Sequence, residues 1–77
     1  MDNISPAAER VAEVVMGAIR ASGLSQRDIA ARTGMHRVTL SRRLNRRSAF
    51  TVEELDLIAQ TLGTTVSALT RAAEDAA

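Results

Sequence analysis

The sequence has 77 residues, enough for one small domain that we expect to span residues 1–77. It holds no cysteine and one histidine, so we expect no disulfide, no catalytic thiolate and no metal site. With 45% hydrophobic and 25% charged residues, a net charge of +1 and one aromatic residue, the composition predicts a soluble, cytoplasmic protein without a cofactor, and it argues against a membrane span and against base stacking on aromatic platforms.

The first predicted helix begins at Ser5, because serine caps helix amino termini and the following Pro6 suits the first turn. Gly23 ends the helix, and the apolar Leu24 after it is typical of a glycine cap with its hydrophobic contact. The face expected to be buried carries apolar residues at helical spacing, namely Val11, Val15, Ala18 and Ile19.

The second predicted helix is short. It begins at Ser25, which forms a capping-box-like pair with Asp28, and it turns Ile29 and Ala30 inward. Gly34 follows, and glycine suits a tight turn that needs positive φ. A second helix of about two turns and a glycine turn after it are therefore expected.

The third helix is predicted over residues 36–44, with Leu40 and Leu44 spaced to reach the core. Residues 36–47 hold five Arg and no acid, whereas residues 1–35 hold four Arg and four acids, and residues 48–77 hold one Arg and five acids. The small net charge therefore conceals a dense basic patch, which is typical of a surface that binds an anionic polymer. The alternative is an ordinary solvated helix face.

The fourth helix has the clearest start signal, because Thr51 and Glu54 match a capping box while Phe50 and Leu55 have the spacing of a hydrophobic staple. Thr65 is the expected cap of a fifth helix. No stretch has the alternating pattern of a strand, so we predict an all-α chain. The residues expected to face inward on the last two helices are Leu55, Ile58, Ala59 and Leu62, then Val66, Leu69 and Ala73.

Two short helices joined by a glycine turn, with the basic patch on the second, are the pattern of a helix-turn-helix over about residues 25–45. A helix of nine residues is roughly 13 Å long, which matches a DNA major groove of roughly 12 Å width. We therefore expect residues 36–44 to be a recognition helix in the major groove of double-stranded DNA.

The segment 24–45 resembles the DNA-binding unit of the phage repressor and Cro family, also called the xenobiotic-response-element family. Residues 50–69 look like the fourth and fifth helices of that family. The resemblance implies a compact five-helix bundle of the lambda-repressor-like type. It rests on a combination of residues: Gln26, Ala30, Gly34, Ser41 and the Leu62-Gly63 pair.

The resemblance places Arg37, Val38 and Arg42 in the groove, and we add Ser41 as a candidate for base readout. Arginine forms bidentate hydrogen bonds with guanine O6 and N7, so Arg37 and Arg42 are the expected guanine readers. Val38 suits a thymine methyl group, or else it is a partly buried core residue. Ser41 reaches a base or a phosphate, or is a plain surface serine.

Further residues are expected to contact the DNA backbone. Gln26 opens the second helix, where its side chain and the helix amides meet a phosphate. His36 departs from the family's usual Ser or Thr cap, and Arg43 stands where an apolar residue is common, so either a phosphate contact or a pair with an acid on the fourth helix is expected for Arg43. The full set is Gln26, His36, Thr39, Arg43, Asn45, Arg46 and Arg47.

The chain carries no nucleophile–base constellation and no phosphate-binding glycine loop, so we do not expect an enzyme, and no small-molecule ligand is indicated. The expected function is that of a DNA-binding transcriptional regulator, a repressor of a phage or mobile element. The alternatives are a protein-interaction module, such as an antitoxin or anti-repressor, and a DNA-bending recombination factor. We expect a weak homodimer or dimerisation on DNA, through a surface around Leu57, Val66, Thr70 and Ala73.

Overall fold

Five helices form the part of the chain that the computed structural model describes, residues 4–76. No strand occurs among these residues, so the predicted all-α fold and its five-helix count are confirmed. In chain order the helices are α1 Pro6–Ser22, α2 Gln26–Thr33, α3 Arg37–Leu44, α4 Val52–Leu62 and α5 Val66–Asp75.

Side-chain caps set where four of the helices begin. The hydroxyls of Ser5, Ser25, Thr51 and Thr65 each accept a hydrogen bond from the backbone N–H three residues later, at 3.0–3.1 Å. In α2 and α4 the acid at the third helical position bonds back to the capping residue's amide, which completes both predicted capping boxes. His36, which stands where the family usually has Ser or Thr, makes no such cap before α3.

The turn between α2 and α3 depends on Gly34, whose φ of 77° lies in the left-handed region. Its N–H donates to the carbonyl of Ala30 at 2.9 Å and closes α2. A Cβ at this position would be strained by the backbone conformation, although it would meet no neighbouring atom within 4 Å. The glycine therefore serves the change of chain direction that separates the two helices of the motif.

The core lies where all five helices meet, and its four most deeply buried large side chains are Val15, Ile29, Leu40 and Ile58. Most of the predicted inward residues are buried, although on α1 only Val15 and Ile19 of the four are, and Ala18 is half-buried. On α1, however, Ala12 is fully buried whereas the predicted Val11 is half-buried. The buried stripe of α1 thus runs through positions 12, 15 and 19.

The dimer surface expected at the corner of α4 and α5 needs correction. Ala73 is only 4% exposed and Val66 packs against the core, because α5 lies along α1 and turns this face inward. Of the expected patch, Leu57 is exposed and Thr70 is half-buried. Within residues 4–76, no helix has the length and apolarity needed to cross a membrane.

Replacing Leu40 with alanine is expected to lower the free energy of unfolding by about 2–5 kcal/mol, because it opens a cavity beneath α3. Urea denaturation followed by circular dichroism measures this loss. Leu57→Ala on the exposed face of α4 is the matched control and should change stability by less than about 0.5 kcal/mol. Equal losses in the two variants would contradict the assigned core.

Candidate nucleic-acid interface

Helix α3 presents two chemically different faces. Leu40 and Leu44 are 0% and 4% exposed and pack into the core. Arg37, Val38 and Arg42 are exposed on the solvent side of the same helix. Since α3 has eight residues, it is about 12 Å long, which is the length that a DNA major groove of roughly 12 Å accommodates.

A shallow, open depression of about 440 Å³ joins the amino end of α2 to the outer face of α3. Its lining contains all four residues predicted to read bases. It also contains the residue at the start of α2 that is predicted to contact a DNA phosphate. These residues are Gln26, Arg37, Val38, Ser41 and Arg42. Side chains that are up to 16 positions apart in the sequence therefore form one continuous surface.

Val38 is 72% exposed, so the alternative of a partly buried core valine is wrong. An apolar side chain is thus presented to solvent between two arginines of the depression. Nothing within the described residues explains it as packing. This is the arrangement that contact with an apolar group of a ligand would require.

The end of α3 is closed by a Schellman arrangement with an arginine at the usual glycine position. The N–H of Arg47 donates to the carbonyl of Arg42 at 2.9 Å, and the N–H of Arg46 donates to the carbonyl of Arg43 at 3.2 Å. Arg46 adopts φ 62°, a left-handed conformation that costs a non-glycine residue about 1 kcal/mol. Sequence rules reserve this position for Gly or Asn, so the turn geometry was not predicted.

Arg43 makes the intramolecular pair that the sequence left open as an alternative to a phosphate contact. Its Nε donates to Glu54 Oε1 at 2.9 Å, its Nη2 donates to Glu54 Oε2 at 3.2 Å, and its Nη1 donates to Ser48 Oγ. Glu54 also accepts from the Thr51 amide. The capping box of α4 is therefore joined to the end of α3, and Leu44 fills the core in place of Arg43.

The two partners of this pair stabilise each other's charged forms. Partial burial alone would raise the pKa of Glu54, but the hydrogen bonds from Arg43 and Thr51 and the Arg43 charge outweigh it and hold that pKa below its ordinary value. The hydrogen bond to Glu54 raises the pKa of Arg43. The guanidinium of Arg43 thus acts as a brace between α3, α4 and the loop of residues 45–51 that joins them.

Other residues that are predicted to contact the DNA backbone lie around the Arg43–Glu54 pair. Asn45 donates from Nδ2 to Ser41 Oγ at 3.2 Å, and Arg47 is exposed. Arg46 donates from Nη1 to Glu13 Oε1 at 2.8 Å, in an exposed ion pair that reaches α1. Sequence reasoning missed Glu13, because 33 positions separate it from Arg46 and no local pattern links the two.

The remaining candidates lie at the amino ends of the two motif helices. Gln26 is the first residue of α2 and is half-buried, His36 precedes α3 and is exposed, and Thr39 is half-buried on α3. Thus Gln26 and the outer residues of α3 share one surface, while Asn45, Arg46 and Arg47 lie at the opposite end of α3.

A helix-turn-helix family model matches residues 18–69, which is most of the chain and includes α2, α3 and α4 entirely. The chain therefore belongs to this helix-turn-helix family, whose members are of the Cro and lambda-repressor type and bind DNA. Comparison with curated proteins and with solved structures gave no match. The resemblance inferred from the sequence is thus confirmed at the level of the family.

Replacing Glu54 with glutamine is expected to lower the free energy of unfolding by about 1–2 kcal/mol at neutral pH, because the amide cannot supply the charge that Arg43 faces. Since the pKa of Glu54 is lowered in the folded protein, its contribution is fully present above the ordinary value of 4.5 and is lost as the pH falls through the folded value. The free energies of unfolding of wild type and Glu54→Gln should therefore converge below the pKa that Glu54 has in the folded protein.

Urea titrations at several pH values between neutrality and acid test this dependence. Glu53→Gln is the matched control, since Glu53 is the exposed neighbour in the same helical turn. A stability difference between wild type and Glu54→Gln that stays constant into the acid range would contradict the role of this ion pair.

Proposed function

We propose that this protein is a sequence-specific transcriptional regulator, and in particular a Cro-like or small immunity repressor of a phage or mobile element. It binds an operator in double-stranded DNA and blocks access of RNA polymerase, in the cytoplasm at the nucleoid of the host. The observation that carries this proposal is the surface on which Gln26 and the outer residues of α3 come together.

In this proposal the outer face of α3 reads bases in the major groove. Arg37 and Arg42 donate bidentate hydrogen bonds to guanine O6 and N7, a pairing that the fixed fork of a guanidinium suits. Val38 packs against a thymine methyl group, consistent with its 72% exposure. Ser41 lies beside them and reaches a base edge or an adjacent phosphate.

Two groups of residues would hold the backbone on either side of the groove. Gln26 and the exposed amides at the start of α2 meet a phosphate on one strand, with His36 and Thr39 beside the start and middle of α3. The residues after α3 meet the other strand: Asn45, Arg46 and Arg47.

Of the two roles that the sequence left open for Arg43, we propose the intramolecular one. Because its guanidinium is bonded to Glu54 and Ser48, we propose that it positions the loop and leaves the phosphate contacts to its neighbours. The brace keeps Arg46 and Arg47 at a fixed distance from the groove-facing residues of α3. DNA binding then requires less ordering of the loop, which favours affinity.

The symmetry of operators recognised by helix-turn-helix proteins indicates how two copies would act. We propose a weak dimer, or a monomer that dimerises on DNA, with half-sites about one helical turn apart. With Val66 and Ala73 packed into the fold, the exposed Leu57 is what remains of the apolar surface first expected to join the copies.

Arg37→Ala and Arg42→Ala are each expected to cost about 1–3 kcal/mol of binding free energy and to relax the preference at one base position. Fluorescence anisotropy with a set of duplexes that differ at single base pairs measures both effects. A loss that is equal for every duplex would show that the arginine touches only phosphate and would contradict its assignment as a base reader.

Arg47→Ala is the matched control for the charge that these variants remove. It should weaken binding to all duplexes alike and reduce the slope of log K against log salt by about one. If five phosphates are engaged, the wild-type slope is roughly −4 to −5 per monomer. A slope near zero would contradict the proposed function as a whole.

A further inference from the structure

A second concavity, of about 430 Å³, lies between α1 and the segment that follows α3. Two of its residues, Asn45 and Arg46, also belong to the loop proposed to hold the DNA backbone. The concavity therefore continues the proposed interface onto α1. From α1 it is lined by Glu13, Gly17 and Arg20 among others.

Gly17 is the unexplained residue of this concavity. It lies in the middle of the 17-residue helix α1, where glycine is less stable than alanine. It is not among the positive-φ glycines, and a Cβ built on it meets no atom within 4 Å. Neither backbone conformation nor packing within the described residues requires a glycine, but the close approach of another molecule to the helix backbone would.

The charges around Gly17 indicate what that molecule carries. Arg20 and Arg46 line the concavity as cations, and Glu13 is its one acid. Glu13 is bonded to Arg46 at 2.8 Å, with both side chains about half exposed. Such an exposed pair is weak, so an arriving phosphate can replace the carboxylate on Arg46. An anionic group therefore fits the concavity better than a neutral or cationic one.

We infer that α1 is a second wall of the DNA interface, and that the concavity receives the sugar–phosphate backbone of one strand. Gly17 permits the backbone to approach the helix, and Arg20 and Arg46 hold its phosphates from two sides. In the free protein, the ion pair with Glu13 keeps the side chain of Arg46 turned toward the concavity. This ion pair breaks when DNA binds. This inference rests on the proposed function and adds α1 to its contacts.

Substitution of Gly17 separates this role from a structural one, because the two move in opposite directions. Gly17→Ala and Gly17→Leu should raise the thermal midpoint, since both residues favour a helix and enter open space. Binding should weaken, by about tenfold for leucine and less for alanine, because the new side chain fills the space of the DNA backbone. Ala72→Leu, on the exposed surface of α5, is the matched control and should leave binding unchanged.

The charged residues supply a second, independent readout. Arg20→Gln should weaken binding and reduce the salt slope by about one, whereas Arg71→Gln on α5 should leave the slope unchanged. Glu13→Gln should strengthen DNA binding several-fold at low salt, because Arg46 then has no ion pair within the protein that must break before it contacts phosphate.

Wild-type binding by Gly17→Leu, together with the same salt slope for Arg20→Gln and Arg71→Gln, would overturn the inference. If Arg37→Ala still relaxes base preference in that case, the proposed function stands and only the contribution of α1 fails. If Arg37→Ala also leaves binding unchanged, the proposed function itself fails. Gly17→Ala keeps the test decisive even where the leucine variant folds poorly, since a methyl group meets no atom of the chain.

Discussion

The burial of Leu40 and Leu44 is the constraint on which the rest of the molecule depends. With these two side chains in the core, the rotation of α3 about its axis is fixed, and helical geometry leaves Val38 and Arg42 on the outer face. The core beneath α3 is small, as expected for a chain of 77 residues, so one cavity there would affect both stability and the orientation of the outer face. In this fold the same two contacts stabilise the domain and orient the surface proposed to read DNA.

The basic loop after α3 shows how a high charge density is held in a defined place. Five arginines within residues 36–47 repel one another, and Glu54 and Glu13 each hold one of them from a different helix. The Glu54 pair is mostly buried and braces the loop against α4, whereas the Glu13 pair is exposed and exchangeable. We infer that the first pair sets the position of the loop and that the second keeps an arginine ready for phosphate.

Local signals made the helix boundaries predictable from the sequence. The caps at Ser25 and Thr51 and the turn at Gly34 involve residues within four positions of each other, and the structure has each of them as expected. What escaped prediction depends on contacts between distant segments. The packing of α5 on α1 leaves little of the expected dimer surface exposed, and the partner of Arg46 is 33 positions away. The family was recognisable because its signature residues, from Gln26 to the Leu62-Gly63 pair, can be read directly from the sequence. The left-handed Arg46 departs from the rule that places glycine there, so no local pattern could have indicated it.

Selection from a random duplex DNA library, with purified protein at about 0.15 M salt to suppress non-specific binding, would show whether this protein reads base sequence. We expect enrichment of a site with guanines in two inverted halves, spaced about one helical turn apart. Enrichment of a single asymmetric site would support base readout and contradict the dimer. Failure to enrich any sequence would contradict the account of a specific regulator and leave the arginines of α3 and its loop with general backbone affinity alone.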